Sequence, residues 1–83
     1  MEQGLYKFVR ADGVYRFGVL QDCNHADLLE PGETATSAGA IGVSDGSFIV
    51  IDRRSIGLRI RMAEESPAEI EKQTGLKHRE EGS

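Results

Sequence analysis

The stretch TSAGAIGVSDGSFIVID, residues 36–52, decides the fold, because its pattern predicts two strands joined by a Ser-Asp-Gly turn. The second strand, residues 47–52, is apolar on both faces, which is typical of a strand buried on both sides. The first strand, residues 35–43, consists mostly of Ala, Gly and Ser. Glycine weakens a strand interior, so some geometric demand must explain these small side chains.

Three explanations of the small side chains remain open. In the first, a neighbouring element presses closely on the strand, and large side chains such as the aromatic residues of an earlier hairpin fill the space. In the second, Gly39 or Gly42 marks a β-bulge that bends the sheet. In the third, the small face forms the floor of a ligand pocket or a contact between subunits.

The beginning of the chain predicts a hairpin. Residues 4–10 and 14–20 are two apolar and aromatic runs, and Asp12-Gly13 between them is a favoured turn pair. Four of the five aromatic residues lie in this hairpin, so we place it at the centre of the core. In the loop that follows, Asn24 or Asp22 caps one short helical turn.

A fifth strand is predicted over residues 57–63, because Leu58, Ile60 and Met62 alternate with two arginines. The chain is therefore mainly β with one C-terminal helix. Its five strands predict an antiparallel meander that forms a small barrel or a bent roll, since closure hides the sheet edges. Residues 1–83 form a single domain, because the chain is too short for two cores.

The C-terminal helix is predicted over residues 67–74. Ser66 is placed as its N-cap and Glu69 completes a capping box, while Gly75 ends the helix. Only a few apolar residues, chiefly Ile70, can pack inward, so the helix must dock on the body or on a neighbouring subunit. Residues 77–83 are predicted to be a frayed tail.

Composition excludes several classes of protein. One cysteine, Cys23, allows no internal disulfide. One Cys and two His residues are too few for a typical four-ligand zinc site, so we expect no metal and no cofactor. The net charge of −4 gives no support for nucleic-acid binding. No signal peptide or membrane span is evident, which predicts a cytoplasmic protein. A domain this small, with no disulfide or metal to stabilise it, predicts a homo-oligomer, with a dimer favoured.

Two groups of residues are candidates for chemistry. Cys23 and His25, with Asp27 beside them, have the residue types of an activated thiolate or a metal site, although local hydrogen bonding is the simpler interpretation. Four arginines near one end of the sheet are candidates for binding phosphate or carboxylate, with Arg10 or Arg16 nearby. The alternative is that they pair with glutamates 64, 65, 69 and 71. The four candidate arginines are Arg53, Arg54, Arg59 and Arg61.

The middle of the chain carries His25, Leu28 and Gly32, followed by the run Ala38-Gly39-x-Ile41-x-Val43-x-Asp45-Gly46. This order resembles a recurrent block in bacterial proteins of unassigned function that occur near toxin systems and on mobile elements. The block ends in Ser-Gly-His-Tyr, which this chain replaces with Ser-Ile-Gly-Leu at residues 55–58. In general character the chain is similar to small orphan proteins carried on mobile gene cassettes, and the resemblance implies an accessory, adaptive role.

These observations predict a small binding or adaptor module that is not catalytic and that associates with itself. One alternative is an anion or nucleic-acid binder that uses the arginine-rich sheet face. A second alternative is a small enzyme that uses His25 with Cys23 or Asp27.

Overall fold

A computed structural model of the chain describes residues 1–80 and has one α-helix, one 3-10 helix and seven strands in that part. The helices are the 3-10 helix His25–Leu28 and α1, Ser66–Thr74. The strands are β1 (Gly4–Ala11), β2 (Val14–Val19), β3 (Ser37–Ser44), β4 (Ser47–Asp52), β5 (Arg54–Ser55), β6 (Ile60–Arg61) and β7 (Lys77–His78).

The main sheet has the strand order β2-β1-β3-β4-β7, whereas β5 and β6 form a separate two-stranded ribbon. All neighbours in the main sheet are antiparallel except β4 and β7, which are parallel. The predicted meander is therefore wrong: β1 lies between β2 and β3, and residues 20–36 carry the chain across it. The sheet is mixed, and the strands of residues 1–80 do not close into a barrel.

The same turn chemistry joins both hairpins. Asp12 and Gly13 have φ angles of 51° and 76°, and Asp45 and Gly46 have φ angles of 51° and 75°. Two consecutive positive φ angles are the signature of the type I′ turn, for which Asp-Gly is a favoured pair because glycine tolerates the left-handed region. Both predicted turns are confirmed.

One face of the sheet, which we call the helix face, packs against α1. Ile70 of α1 is fully buried there, and Leu76 just beyond the helix is 8% exposed. The rings of Phe8 and Tyr15 lie side by side with centroids 5.8 Å apart, so aromatic side chains of the first hairpin lie in the core, although β2 is an edge strand of the sheet. The buried cluster consists of Phe8, Tyr15, Ile41, Val43, Phe48, Val50, Ile70 and Leu76.

The opposite face, which we call the loop face, is covered by residues 20–36 and by the β5–β6 ribbon. Small side chains, Val9, Ala35 and Ala38, are buried here under four larger ones from the loop and the ribbon. These covering side chains are Leu28, Leu29, Leu58 and Ile60.

The predicted strand over residues 57–63 is correct only for Ile60–Arg61. Arg59 has a φ angle of 58°, in the left-handed region, and residues 56–59 form a turn. Met62 packs on the helix face while Leu58 and Ile60 pack on the loop face, so the three side chains do not share one face. The chain uses this segment to pass around the end of the sheet.

The two central glycines of β3 answer the question raised by its small residues. A Cβ on Gly39 would lie 2.5 Å from the Asp52 backbone oxygen and 3.0 Å from the Phe8 ring. An aromatic residue of the first hairpin thus fills this space, as the first explanation predicts. The register between β3 and β4 does shift, between Ala40 and Ile41, so the irregularity lies between the glycines and at neither of them.

The helix prediction needs two corrections. The helical residues begin at Ser66, with Glu65 as N-cap, and no side-chain hydrogen bond caps the helix. Gly75 ends the helix as predicted, with a φ angle of 77°. The predicted tail is wrong for Lys77–His78, which pair with β4 as β7. The rest of the predicted tail from residue 81 onward lies outside the described residues.

Candidate functional site

The end of β4 forms the site. Ile41 pairs with Val50 but Ala40 pairs with Asp52, so Ile51 is an extra residue in β4. An extra residue bends a strand and redirects the side chains after it. The Asp52 carboxylate then accepts the backbone N–H of Arg54 at 3.0 Å, which fixes the turn from β4 into β5.

The β5–β6 ribbon brings two arginines together. Arg54 and Arg61 are directly opposite each other in this antiparallel pair. The Met62 N–H donates to the Arg53 carbonyl at 2.9 Å and extends the ribbon by one bond. Opposed Cβ atoms in such a pair lie about 5 Å apart, and like charges in these positions are destabilising. The ribbon therefore forms against electrostatic repulsion.

These arginines line a cleft of about 340 Å³, which we call the arginine cleft. Three arginines, one aspartate and two apolar residues line it. The residues that line it are Val50, Ile51, Asp52, Arg53, Arg54 and Arg61. All three arginines are exposed, and none of them forms an ion pair with a carboxylate of residues 1–80.

The structure separates the fourth candidate arginine from the other three. Arg59 lies on the exposed turn between β5 and β6 and does not line the arginine cleft. The alternative that the arginines pair with helix glutamates is not what the described residues show. Glu69 pairs with Arg10 at 3.3 Å, and the Glu71 carboxylate accepts the His78 N–H at 2.7 Å.

The other candidate group is held by local hydrogen bonds. The Cys23 thiol contacts the Val19 carbonyl at 3.4 Å, and the Asp27 carboxylate accepts the Asn24 N–H at 2.8 Å. His25 Nε2 lies 2.8 Å from the Gly39 carbonyl and must carry its hydrogen, because a carbonyl oxygen only accepts. Within residues 1–80, no hydrogen bond joins any two of these three side chains.

Two further cavities adjoin the arginine cleft. One, of about 370 Å³, shares Val50 and Arg53 with it and is also lined by His78 and Glu80. The other, of about 430 Å³, shares Asp52 and Arg54 with it. This third cavity is lined by Lys7, Asn24, His25, Ala26, Asp52, Arg54, Ser55, Ile56 and Gly57. Because neighbouring cavities share wall residues, the three lie next to one another past the end of β4.

A buried polar network that the sequence did not predict joins α1 to the sheet. The Tyr15 hydroxyl lies 2.6 Å from the Ser66 hydroxyl and 2.8 Å from a Glu69 carboxylate oxygen. The Ser66 hydroxyl also lies 2.7 Å from that of Ser37, which accepts the Ala63 N–H. Burial raises the pKa of Tyr15 to about 12. The network holds the helix and offers no open site.

On the loop face, Arg16 and Glu33 form a bidentate ion pair, in which Arg16 Nη2 donates to Glu33 Oε2 at 2.8 Å. Arg16 also donates to the Leu28 carbonyl at 3.1 Å and so fastens the loop to β2. The hydrogen bond with Arg16 lowers the pKa of Glu33. Arg16 and Arg10 are thus engaged elsewhere and take no part in the arginine cleft.

Among residues 1–80, no three His, Cys, Asp or Glu side chains converge as ligands for a metal ion. Neither helix in this part of the chain is long and apolar enough to cross a bilayer. No protein-family model matches the chain, and neither the curated proteins nor the solved structures contain a significant match to it.

Proposed function

We propose that this chain is a non-catalytic binding module that holds an anionic partner in the arginine cleft. One observation carries the proposal: Arg54 and Arg61 are opposed in the β5–β6 ribbon and have no carboxylate partner in residues 1–80. Opposed like charges oppose folding of the ribbon. A bound anion removes that repulsion, so the arrangement is better suited to binding than to stability.

The chemistry of the cleft favours carboxylate or phosphate ligands. Guanidinium groups form paired hydrogen bonds with both, and these bonds are stronger than those between neutral groups. Val50 and Ile51 line the cleft beside the arginines, although their side chains lie on opposite faces of the sheet. Asp52 opposes an anion but is already hydrogen-bonded to the Arg54 N–H.

The enzyme alternative has less support. His25 is hydrogen-bonded to the Gly39 carbonyl, and Asp27 is hydrogen-bonded to the Asn24 N–H. In the described part of the chain, no basic side chain is therefore hydrogen-bonded to Cys23. A nucleophile needs such a base or a lowered pKa to react. The three side chains are better explained as the groups that order the loop before β3.

Self-association stays a prediction. Leu5 and Ile51 are 49% and 40% exposed, and with Ile49 they surround Gly42 on the uncovered part of the loop face. These four residues form the apolar surface best suited to a second copy of the chain, since sheets pack face to face through such side chains. Sedimentation velocity at dilute and concentrated loading measures whether a dimer forms.

The proposed function is tested by titrating inorganic tripolyphosphate and citrate into the protein by calorimetry. The Arg54→Gln, Arg61→Gln double variant should bind at least about tenfold more weakly, because each charge-assisted hydrogen bond contributes roughly 1.5–3 kcal/mol. The matched control is Arg59→Gln, Lys72→Gln, which removes the same charge from outside the cleft. Its affinity should stay within about twofold.

The same double variant should unfold at an equal or higher temperature than the unmodified chain, because it removes the opposed charges. An equal loss of affinity in both double variants would assign the binding to overall charge. No binding of either anion by the unmodified chain would end the proposal.

A further inference from the structure

The side chain of Gln73 in α1 is hydrogen-bonded to the backbone of β2. Its Oε1 accepts the Tyr15 N–H at 2.8 Å, and its Nε2 donates to the Tyr15 carbonyl at 2.6 Å. In an antiparallel sheet, one residue of a neighbouring strand makes the same two bonds. The Gln73 amide therefore takes the position that a further strand would occupy beside β2.

β2 is an edge strand of the main sheet, with β1 on its inner side. Backbone direction repeats every two residues along a strand, so the N–H and carbonyl groups of Phe17 and Val19 point outward like those of Tyr15. The Val19 carbonyl accepts the Asp22 N–H at 3.0 Å. No group of residues 1–80 pairs with the outward N–H and carbonyl of Phe17. The outer edge of β2 is thus unpaired at Phe17 and closed at Tyr15.

The outer edge of β2 fits a second copy of itself. In an antiparallel pair centred on Phe17, the two Phe17 residues lie opposite each other, and Tyr15 of one copy lies opposite Val19 of the other. Aromatic and β-branched side chains in opposed positions stabilise a sheet. Arg16, the only charged residue of β2, would lie opposite Gly18, so no like charges would be opposed. An unpaired edge of this composition is a template for association.

We propose that Gln73 closes the outer edge of β2 against pairing with a second copy of the chain. The bonds that Val19 of the second copy would make with Tyr15 are already made by Gln73. The Gln73 side chain also stands where the added strand would run, because neighbouring strands lie about 5 Å apart. The edge becomes an interaction surface between two copies when this side chain is withdrawn. The inference is independent of the arginine cleft.

Sedimentation velocity at dilute and concentrated loading, with the unmodified chain as reference, tests the inference. Gln73→Ala should associate at least about tenfold more tightly than the unmodified chain, because it frees both backbone groups of Tyr15 for a second copy. Gln73→Glu is the matched control and should sediment like the unmodified chain, since its carboxylate accepts the Tyr15 N–H and its charge protects the edge. Adding Val19→Lys to Gln73→Ala should abolish the association, because a lysine on the edge opposes pairing.

Three outcomes would overturn the inference: Gln73→Ala sediments like the unmodified chain, both Gln73 variants associate equally, or the association persists with Val19→Lys. Amide hydrogen exchange of the unmodified chain supplies a test that needs no variant. Relative to its intrinsic rate, the Phe17 N–H should exchange at least about tenfold faster than the Tyr15 N–H, because only the latter is hydrogen-bonded. Equal protection of the two amides would mean that the edge is covered at Phe17, and the inference would fail.

Discussion

The two faces of the sheet are covered in different ways. The helix face buries large side chains such as Phe8, Phe48 and Ile70 under a regular element. The loop face buries small ones such as Ala38 under the β5–β6 ribbon and under residues 20–36, whose only regular structure is one 3-10 helix. Part of the loop face stays open around Gly42, whereas the helix face has a largely buried polar network between α1 and the sheet.

The difference shows how side-chain size selects the covering element. An irregular loop must bring its own backbone and short side chains close to the sheet, and small sheet residues allow that approach. At Gly18, for example, an added Cβ would lie 2.5 Å from the Cys23 sulfur and 3.0 Å from Leu28. A helix stands further from a sheet, and large side chains fill that distance.

Two identical substitutions in β3, on opposite faces, test this comparison most severely. Gly39→Ala should destabilise the protein by about 3 kcal/mol, a strongly overpacked core change, because the new methyl group would meet backbone and a buried ring. At Gly42 the nearest atom to an added Cβ is Leu5 Cδ2 at 3.4 Å, and the nearest atoms of Ile49 and Ile51 are further away. Gly42→Ala should be neutral or should stabilise by up to about 1 kcal/mol, since it restricts the unfolded chain.

Urea denaturation of the two variants and the unmodified chain measures both effects. If Gly39→Ala does not fold, the sign of the Gly42→Ala effect still tests the loop face. Equal destabilisation by both substitutions would contradict the contrast between the faces. It would mean that β3 tolerates no added methyl group on either face.

Local patterns predicted the elements better than their arrangement. The Asp-Gly turns, the end of the helix at Gly75 and the short helical turn are determined by neighbouring residues, and the sequence predicts them. The position of β1 between β2 and β3 depends on long-range pairing that no local pattern encodes. Arg59 lies in a left-handed turn although its segment alternates like a strand, because tertiary packing of Leu58 and Ile60 decides its path.

The candidate site was predictable in composition and unpredictable in geometry. The cluster of arginines is visible in the sequence, but the opposition of Arg54 and Arg61 requires knowledge of the ribbon register. The sequence also predicts the wrong role for Ser66, for a similar reason. A Ser before Pro usually caps a helix, and only the fold shows that Tyr15 takes its hydroxyl.

The polar network of the helix face provides the next prediction. Tyr15→Phe should destabilise the protein by roughly 1–3 kcal/mol, because it removes a partner from the buried Ser66 hydroxyl and from Glu69. The control is Tyr6→Phe, since the Tyr6 hydroxyl donates to the Glu2 carbonyl at an exposed position. It should cost less than about 0.5 kcal/mol. Similar urea midpoints for the two variants would show that the network does not stabilise the helix face.

This network also predicts a loss of stability in alkali. Burial raises the pKa of Tyr15 from 10.0 to about 12, so the unfolded chain loses this proton at a lower pH than the folded one. The stabilising contribution is complete below pH 10 and is lost as the pH rises from 10 towards 12. Tyr15→Phe should flatten the pH dependence of the urea midpoint in that range. An unchanged slope would contradict the assignment.

The ion pair of the loop face predicts the smallest effect, and it has the opposite pH dependence. The hydrogen bond with Arg16 lowers the folded-state pKa of Glu33 below its ordinary value of 4.5. Its contribution is therefore present above pH 4.5 and lost as the pH falls through the folded-state pKa. Glu33→Gln should lower the urea midpoint at pH 7 and differ less from the unmodified chain at pH 3.

Glu30→Gln is the matched control for this effect, because Glu30 lies in the same loop and its carboxylate makes no hydrogen bond within residues 1–80. It should lower the midpoint at pH 7 by much less than Glu33→Gln does, because Glu30 acts on Arg16 only through its charge. A Glu33→Gln difference that is constant between pH 7 and pH 3 would show that the carboxylate acts through its shape and not its charge. The loop face would then be held by its leucines alone, and the ion pair would be a consequence of the loop position and not a cause of it.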